Sequence, residues 1–249
     1  MSANSEISWC HHTFNPWWGC TKVSEGCLRC YALIFSRRLG KDIWGAGVPR
    51  VRGSENVWMN PLIWNRKAEG LETRPRVFVA SMADVFDDEV DGTWRDDLWN
   101  LIRVCPNLDW LLLTKRPQNI HEMLPEDWGN GWPHVWLGVT VENQARALER
   151  IPILRSIPAA LRFLSVEPLL GPVDLDLDDI DWVILGGESG AGYRLLDPKW
   201  ARGVRDQCLR RGIPFHFKQW GTARPAFAGR LLDGKIWNGF PVSPAGLLV

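Results

Sequence analysis

The sequence predicts an α/β fold, a single-domain complete or partial (βα) barrel. Three observations carry that expectation. Short apolar runs alternate with helical patterns along the chain, several runs are apolar on both faces, and nearly all end in polar or charged residues. Strictly alternating strands and helices imply a parallel sheet with right-handed crossovers. Strands without a polar face belong to sheets covered on both sides. Six or seven such units fit a barrel, and a flat doubly wound sheet is the alternative.

Taken in order, the predicted strands are Arg76–Ser81 (RVFVAS), Asp109–Lys115 (DWLLLTK), Val135–Val141 (VWLGVTV), Arg162–Glu167 (RFLSVE), Asp181–Leu185 (DWVIL) and Pro214–Lys218 (PFHFK). The predicted helices are Tyr31–Leu39, Thr93–Val104, Gln144–Ile153 and Pro198–Arg211. No internal repeat or low-complexity linker divides the chain. The expected organisation is one barrel over residues 1–221 and a Gly/Pro-rich extension, 222–249, packing on it. The strand ends carry Ser81 and Asp84, Thr114 and Lys115, Thr140 with Glu142 and Asn143, Glu167, Glu188 and Ser189, and Lys218 and Gln219. In parallel α/β folds the carboxyl ends of the strands form the ligand face. Helix capping and loop solvation account for some of these residues but not for six strands ending alike.

Composition narrows the class. The chain has 249 residues, 45% hydrophobic and 23% charged, as in soluble globular proteins. No run of about 18 apolar residues predicts a membrane span. The first residues lack the basic and apolar pattern of a secretory signal, so a cytoplasmic location is expected. The zero net charge is unevenly spread. Residues 1–76 balance at +5, residues 77–191 at −12 and residues 192–249 at +7. Should the two basic ends meet, they form a local positive surface; the alternative is scattered, solvated arginines. The sixteen tryptophans are expected mostly in the core, with exposed ones able to stack on bases.

Three of six cysteines, Cys20, Cys27 and Cys30, fall within eleven residues, with gaps of six and two, just before a predicted helix. Gly19 and Gly26 permit the tight backbone that brings thiolates together. Three thiolates leave one iron of a four-iron cluster open to a cofactor, and a two-residue gap is a common cluster spacing. The same residues fit a zinc site closed by Cys10, His11 or His12, or a redox cluster closed by Cys10. Spacing alone leaves cluster and zinc level.

Position favours the cluster. A cysteine loop before the first helix of a βα barrel resembles the radical S-adenosylmethionine superfamily, although the usual first gap there is three. From Trp9 to Gly221 the chain resembles a family of unknown function known mainly from phage and bacterial genomes, the three-Cys-motif proteins. FNPWWGCTKVSEGC, LLTKRP, FLSVEPLLGP, WVILGGESG and FHFKQWG carry that resemblance. A weaker resemblance is to the spore photoproduct lyases, which reverse a thymine–thymine lesion in DNA. Tyr31 after the third cysteine, Ala80-Ser81-Met82-Ala83-Asp84, Thr114-Lys115 and Thr140-Val141-Glu142-Asn143 match in order. The lyase's hydrogen-donating cysteine falls near Ser81, and Arg29 replaces the tyrosine before the third cysteine. If the chain acts as a lyase, the donor must then be a tyrosine or one of Cys10, Cys105 and Cys208.

These resemblances imply a 4Fe–4S cluster on Cys20, Cys27 and Cys30. S-adenosylmethionine would chelate the open iron and be split by one electron to a deoxyadenosyl radical. They imply that Lys115 meets the cofactor carboxylate, and that Tyr31, Ser81, Ala83, Asp84, Thr140, Glu142 and Asn143 surround the cofactor, with Glu167 and Glu188 as further contacts. Tyr31 and Ser81 are the catalytic candidates. The implied activity is a carbon–carbon lyase of DNA repair, with an external electron donor. Arg37, Arg38, Arg50, Arg52, Arg205, Arg210 and Arg211 are candidate phosphate contacts. The other readings are a radical enzyme acting on another nucleic acid, a peptide or a small molecule, and a non-catalytic zinc or iron–sulfur protein. A dinucleotide-binding enzyme is disfavoured, because Gly186-Gly187-Glu188-Ser189-Gly190 lacks the G-x-G-x-x-G order.

Overall fold

All six predicted strands form in the computed structural model, which describes residues 5–223 and 229–243. The strands are β1 (His12–Phe14), β2 (Trp17–Trp18), β3 (Val51–Arg52), β4 (Arg76–Val79), β5 (Asp109–Thr114), β6 (Val135–Thr140), β7 (Leu161–Val166), β8 (Trp182–Gly186), β9 (Phe215–Gln219), β10 (Leu231–Leu232) and β11 (Lys235–Ile236). The helices are α1 (Tyr31–Arg38), α2 (Glu55–Lys67), α3 (Gly92–Arg103), α4 (Ile120–Met123), α5 (Gln144–Ser156) and α6 (Pro198–Arg211).

Seven strands make one parallel sheet in the order β1-β4-β5-β6-β7-β8-β9. Spatial order follows chain order without reversal. Each crossover therefore steps the same way and the sheet curls in one direction, whereas a doubly wound sheet reverses at a switch point. Edge strands β1 and β9 do not pair, so the fold is a half-barrel.

Alternation along each strand separates two cores. On the outer face Val77, Val79, Leu112, Leu137, Val139, Val166, Val183 and Phe217 pack with helix residues such as Leu98, Ile102, Ile151, Leu154, Val204 and Cys208. On the inner face Phe78, Leu111, Trp136, Phe163, Trp182 and Ile184 join Trp9 and Cys10. Most of these inner residues lie on the amino-terminal halves of their strands, where the rings of Trp9, Phe78, Trp136, Phe163 and Trp182 plug the base of the barrel. Gly138 lets this plug close, because a Cβ there would lie 2.4 Å from the Phe163 ring. Above it the alternation places Leu113, Thr140, Ser165, Gly186 and Lys218 on the inner face, smaller or polar groups beneath the carboxyl rim. Among the described residues no helix is long and apolar enough to cross a membrane.

The structure corrects one expectation about tryptophan. Eight of the sixteen are buried and the other eight are partly buried, so none stands exposed to stack on a base. Within the extension, residues 229–243 lie against the β9 edge and the plug. Phe217 donates its backbone N–H to Trp237 (3.0 Å), Trp182 Nε1 donates to the Gly239 carbonyl (2.8 Å), and Phe240 packs on Trp182.

Candidate functional site

The predicted site residues all come from the carboxyl rim or from the loop that crosses it. After β1 the chain turns through Asn15 into the short ladder of β2 with β3. Gly19, at φ +110°, then sends Cys20 into the rim; a side chain at Gly19 would lie 2.5 Å from the Ile43 carbonyl. Cys27 ends a single 3-10 turn, and Cys30 occupies the N-cap position of α1. All three thiols are free and only partly buried.

Arginines clamp this loop at both ends. At the Cys20 end, Arg116 Nη1 donates to Cys20 Sγ (3.5 Å) and Nη2 to the Thr21 carbonyl (2.8 Å). Arg116 is itself held by Asp84 at 3.2 Å and Asp87 at 3.6 Å. Arg50 grips Thr21 Oγ1 (2.7 Å) and Asp87 (2.8 Å). At the Glu25 end, Arg146 pairs with the Glu25 carboxylate (3.2 Å) and Arg194 with its carbonyl (3.0 Å). Ser24 donates to Glu142, whose other oxygen takes Arg150 at 2.8 Å. Gly26 lies so close to Glu142 that a Cβ would be 2.9 Å from its carboxylate.

Tyr31 Oη donates to the Ser81 carbonyl (2.7 Å), tying α1 to the β4 turn. That turn is strained. Ala80 adopts φ +59°, a left-handed conformation costing a residue with a Cβ about 1–2 kcal/mol, and Asn15 holds it through Ser81 Oγ (3.0 Å) and the Met82 N–H (2.8 Å). Lys115 follows β5 and is half-buried. Burial works against its charge, but Cys27, Glu142, Cys30 and Asp84 outweigh burial and raise its pKa. Its ammonium enters no hydrogen bond or ion pair among the described residues. Burial pushes the Cys20 thiol up to about 12, with Asp84 adding to the rise and Arg116 opposing it. A metal there must displace a firmly held proton.

Several candidates have protein partners that define other roles. Asp84 accepts from the Phe86 N–H (3.0 Å), Thr114 Oγ1 (2.7 Å), the Lys115 N–H (3.1 Å) and Arg116 (3.2 Å). It anchors the β4 and β5 loops instead of facing a ligand. Ala83 closes the same turn, donating its N–H to the Ala80 carbonyl (3.0 Å). Asn143 caps α5, accepting from the Arg146 N–H (3.0 Å). Glu167 pairs with Lys218 across the inner face. Glu188 is bound by Arg194 and lies 3.7 Å from Arg29; burial opposes its ionisation, but these cations hold its pKa low. Thr140 Oγ1, on the inner face, is buried with no partner. The glycines of WVILGGESG and FHFKQWG serve loop packing, since a Cβ at Gly187 would lie 1.8 Å from the Trp220 carbonyl oxygen. Asn15, Arg116 and Arg150 were not among the expected site residues, although Asn15, inside FNPWWGCTKVSEGC, and Arg116, inside LLTKRP, carried a local signal.

The phosphate candidates separate. Arg50 is buried against Asp87, Arg52 pairs with Asp97 and lies over Trp58, Arg205 pairs with Asp206 and Asp233, and Arg211 pairs with Asp178. Arg210 and Arg211 end α6, which runs antiparallel to the strands, so they sit at the base, away from the rim. Arg37 and Arg38 remain exposed beside the cysteine loop. The extra zinc ligands are also displaced. Cys10 packs into the basal core, His11 Nδ1 accepts from the Arg76 N–H (2.9 Å) and His12 stacks on Trp64. All three precede or begin β1, at the opposite end from the loop.

Among the described residues no group of three or more His, Cys, Asp or Glu is gathered at metal-binding spacing. The donor set nevertheless fits a cluster. It offers three free thiols on one short loop, a guanidinium on one sulfur, and an otherwise unpaired ammonium near the other two.

The architecture is an open βα half-barrel built on seven parallel strands. Three solved structures of spore photoproduct lyase share it at TM-score 0.50, each superposition covering 82% of this chain and 62% of that one. One, a doubly substituted variant with bound AdoMet and dinucleoside spore photoproduct, is 12% identical; another, complexed with dinucleoside spore photoproduct, is 10% identical. At such identity the likeness concerns the fold, and this chain spans under two thirds of the lyase. No curated protein matches in sequence. The chain belongs to the family described as "Protein of unknown function (DUF5131)", which it matches over residues 4–241.

Proposed function

We propose that this protein is a radical S-adenosylmethionine enzyme whose 4Fe–4S cluster is held by Cys20, Cys27 and Cys30 on a barrel of residues 1–221, with 222–249 as an extension. The observation that carries the reading is the unpaired ammonium of Lys115 beside Cys27 and Cys30 on the ligand rim of a half-barrel. Three thiolates satisfy three irons, and the separation of Cys10, His11 and His12 from the loop leaves the fourth iron for a cofactor. When bound, the cluster and S-adenosylmethionine would supply a one-electron reductive cleavage yielding a hydrogen-abstracting carbon radical. Lys115 would pair with the cofactor carboxylate as a point charge. Tyr31 and Asn15 would fix the Ser81 turn beside it, and the unpartnered Thr140 hydroxyl is available for a polar contact. Free thiols accord with the reducing cytoplasm.

For the substrate we propose nucleic acid, in its most concrete form the thymine–thymine spore photoproduct. Support comes from the shared half-barrel and from exposed Lys22, Arg29, Arg37, Arg38 and Lys41 around the cysteine loop. Ser81 stands where a hydrogen-donating thiol would be needed, and a hydroxyl gives up a hydrogen atom poorly. Cys105 and Cys208 lie in the outer core behind the sheet. Cys10 packs in the basal core, at the opposite end from the loop, so the hydrogen would return from Tyr31. Anaerobically reconstituted protein with dithionite and S-adenosylmethionine should form 5′-deoxyadenosine and restore thymines from a spore-photoproduct oligonucleotide. Deoxyadenosine formation without repair or oligonucleotide binding would favour a peptide or small-molecule substrate. A single bound zinc and no deoxyadenosine would refute the class.

A further inference from the structure

The LLTKRP segment supplies a second cation that the cofactor reading does not use. Arg116 is 3% exposed, and its guanidinium is fixed on all sides by Asp84, Asp87 and the Thr21 carbonyl. Its remaining direction points Nη1 at Cys20 Sγ, 3.5 Å away. Among the described residues no other charged side chain donates to a thiol of the trio. Because Asp84 and Asp87 neutralise the charges of Arg116 and Arg50, what Arg116 offers the sulfur is mainly a directed N–H.

We propose that Arg116 is a positioning residue that sets the reduction potential of the cluster by donating a hydrogen bond to the Cys20 thiolate. The inference rests on the cluster reading given above. Reduction adds an electron that is shared with the ligating sulfurs. A donor on the sulfur stabilises the reduced state more than the oxidised one, which raises the potential. Arg is suited to this because its fork can hold Asp84 and Thr21 while still presenting an N–H to sulfur.

The test is a redox titration of the reconstituted cluster followed by electron paramagnetic resonance, with iron analysis alongside. Arg116→Lys keeps a positive charge beside Asp84 but loses the fork. It should retain about four irons, while the ratio of reduced to oxidised cluster at the wild-type midpoint falls about tenfold, equivalent to about 59 mV for one electron. An unchanged midpoint with a full cluster overturns the inference. Should the variant fail to load, wild-type protein carrying 15N-arginine decides. Its reduced cluster should show a weakly coupled arginine nitrogen, and the absence of that coupling overturns the inference while leaving the cluster reading intact. A wild-type protein that forms no cluster overturns both.

Discussion

Arg50→Met tests how the cysteine loop is held. Arg50 Nε and Nη2 reach Asp87 at 2.9 and 2.8 Å, Nη1 serves the carbonyls of Gly45 (3.0 Å) and Val48 (2.8 Å), and Nη2 also holds Thr21 at 2.7 Å. Both charged side chains are almost wholly buried, at 1% and 0% exposure. Methionine fills the volume but leaves the Asp87 carboxylate only the Glu89 N–H (3.2 Å) and the 3.6 Å contact with Arg116. Burial already raises the Asp87 pKa against the pull of Arg116 and Arg50, so losing one cation drives it higher. Breaking a buried pair costs about 3–5 kcal/mol. Against a total near 5–15 kcal/mol, and at roughly 2–4 °C per kcal/mol for this size, the melting midpoint should fall by roughly 6–20 °C. Urea unfolding of Arg50→Met, Asp87→Asn and the double variant should give a coupling of about 2 kcal/mol or more. A single-variant cost below about 1 kcal/mol, or additive costs, would refute the network as the anchor of Thr21 and Cys20.

Other perturbations separate binding from folding. Lys115→Met should keep full iron content but weaken S-adenosylmethionine by about 2 kcal/mol, roughly 30-fold; an unchanged affinity by anaerobic calorimetry would remove Lys115 from the cofactor site. Burial, with Arg230, Arg76 and Lys218, holds the His216 pKa down at about 3 from 6.5. The unfolded chain therefore binds one more proton between those values, and this group should lose about 1.4 kcal/mol of stability per pH unit as pH falls through that window. His216→Phe should flatten the pH dependence of the unfolding free energy by that slope, and an identical slope would contradict it. Gly187→Ala, which meets backbone at 1.8 Å, should cost about 3 kcal/mol or more. Gly203→Ala, on α6 with nothing within 4 Å, should stabilise by about 0.5–1 kcal/mol; equal effects by thermal melting would show that the loops after β8 and β9 are not packed backbone to backbone.

The central strands were legible because burial on both faces writes a continuous apolar run, as in DWLLLT and VWLGVT. β1 was not, since His12-Thr13-Phe14 is too short to show a period and begins with histidine. α2 was hidden by Pro61 and its asparagines, which break the helical pattern of a segment that tertiary packing of Trp64 stabilises. The rim itself was readable from strand ends, but its division of labour was not. Asp84 and Lys115 look alike in sequence as polar residues after a strand, and only the contacts show one saturated by four donors and the other unpaired. Arg116 and Asn15 lie in segments that stand out in the sequence, but they act across long separations, on Cys20 and Ser81, and no local pattern reports those pairings.

In the proposed cluster one iron has no side-chain ligand. The most direct measurement is the electron paramagnetic resonance spectrum of the reduced, reconstituted protein before and after S-adenosylmethionine is added, with iron counted in parallel. A four-iron signal whose g-values shift on addition, and which is lost in Cys27→Ala but kept in Cys10→Ala, is the predicted result. A spectrum indifferent to the cofactor, or a cluster that requires Cys10 as fourth ligand, would contradict it.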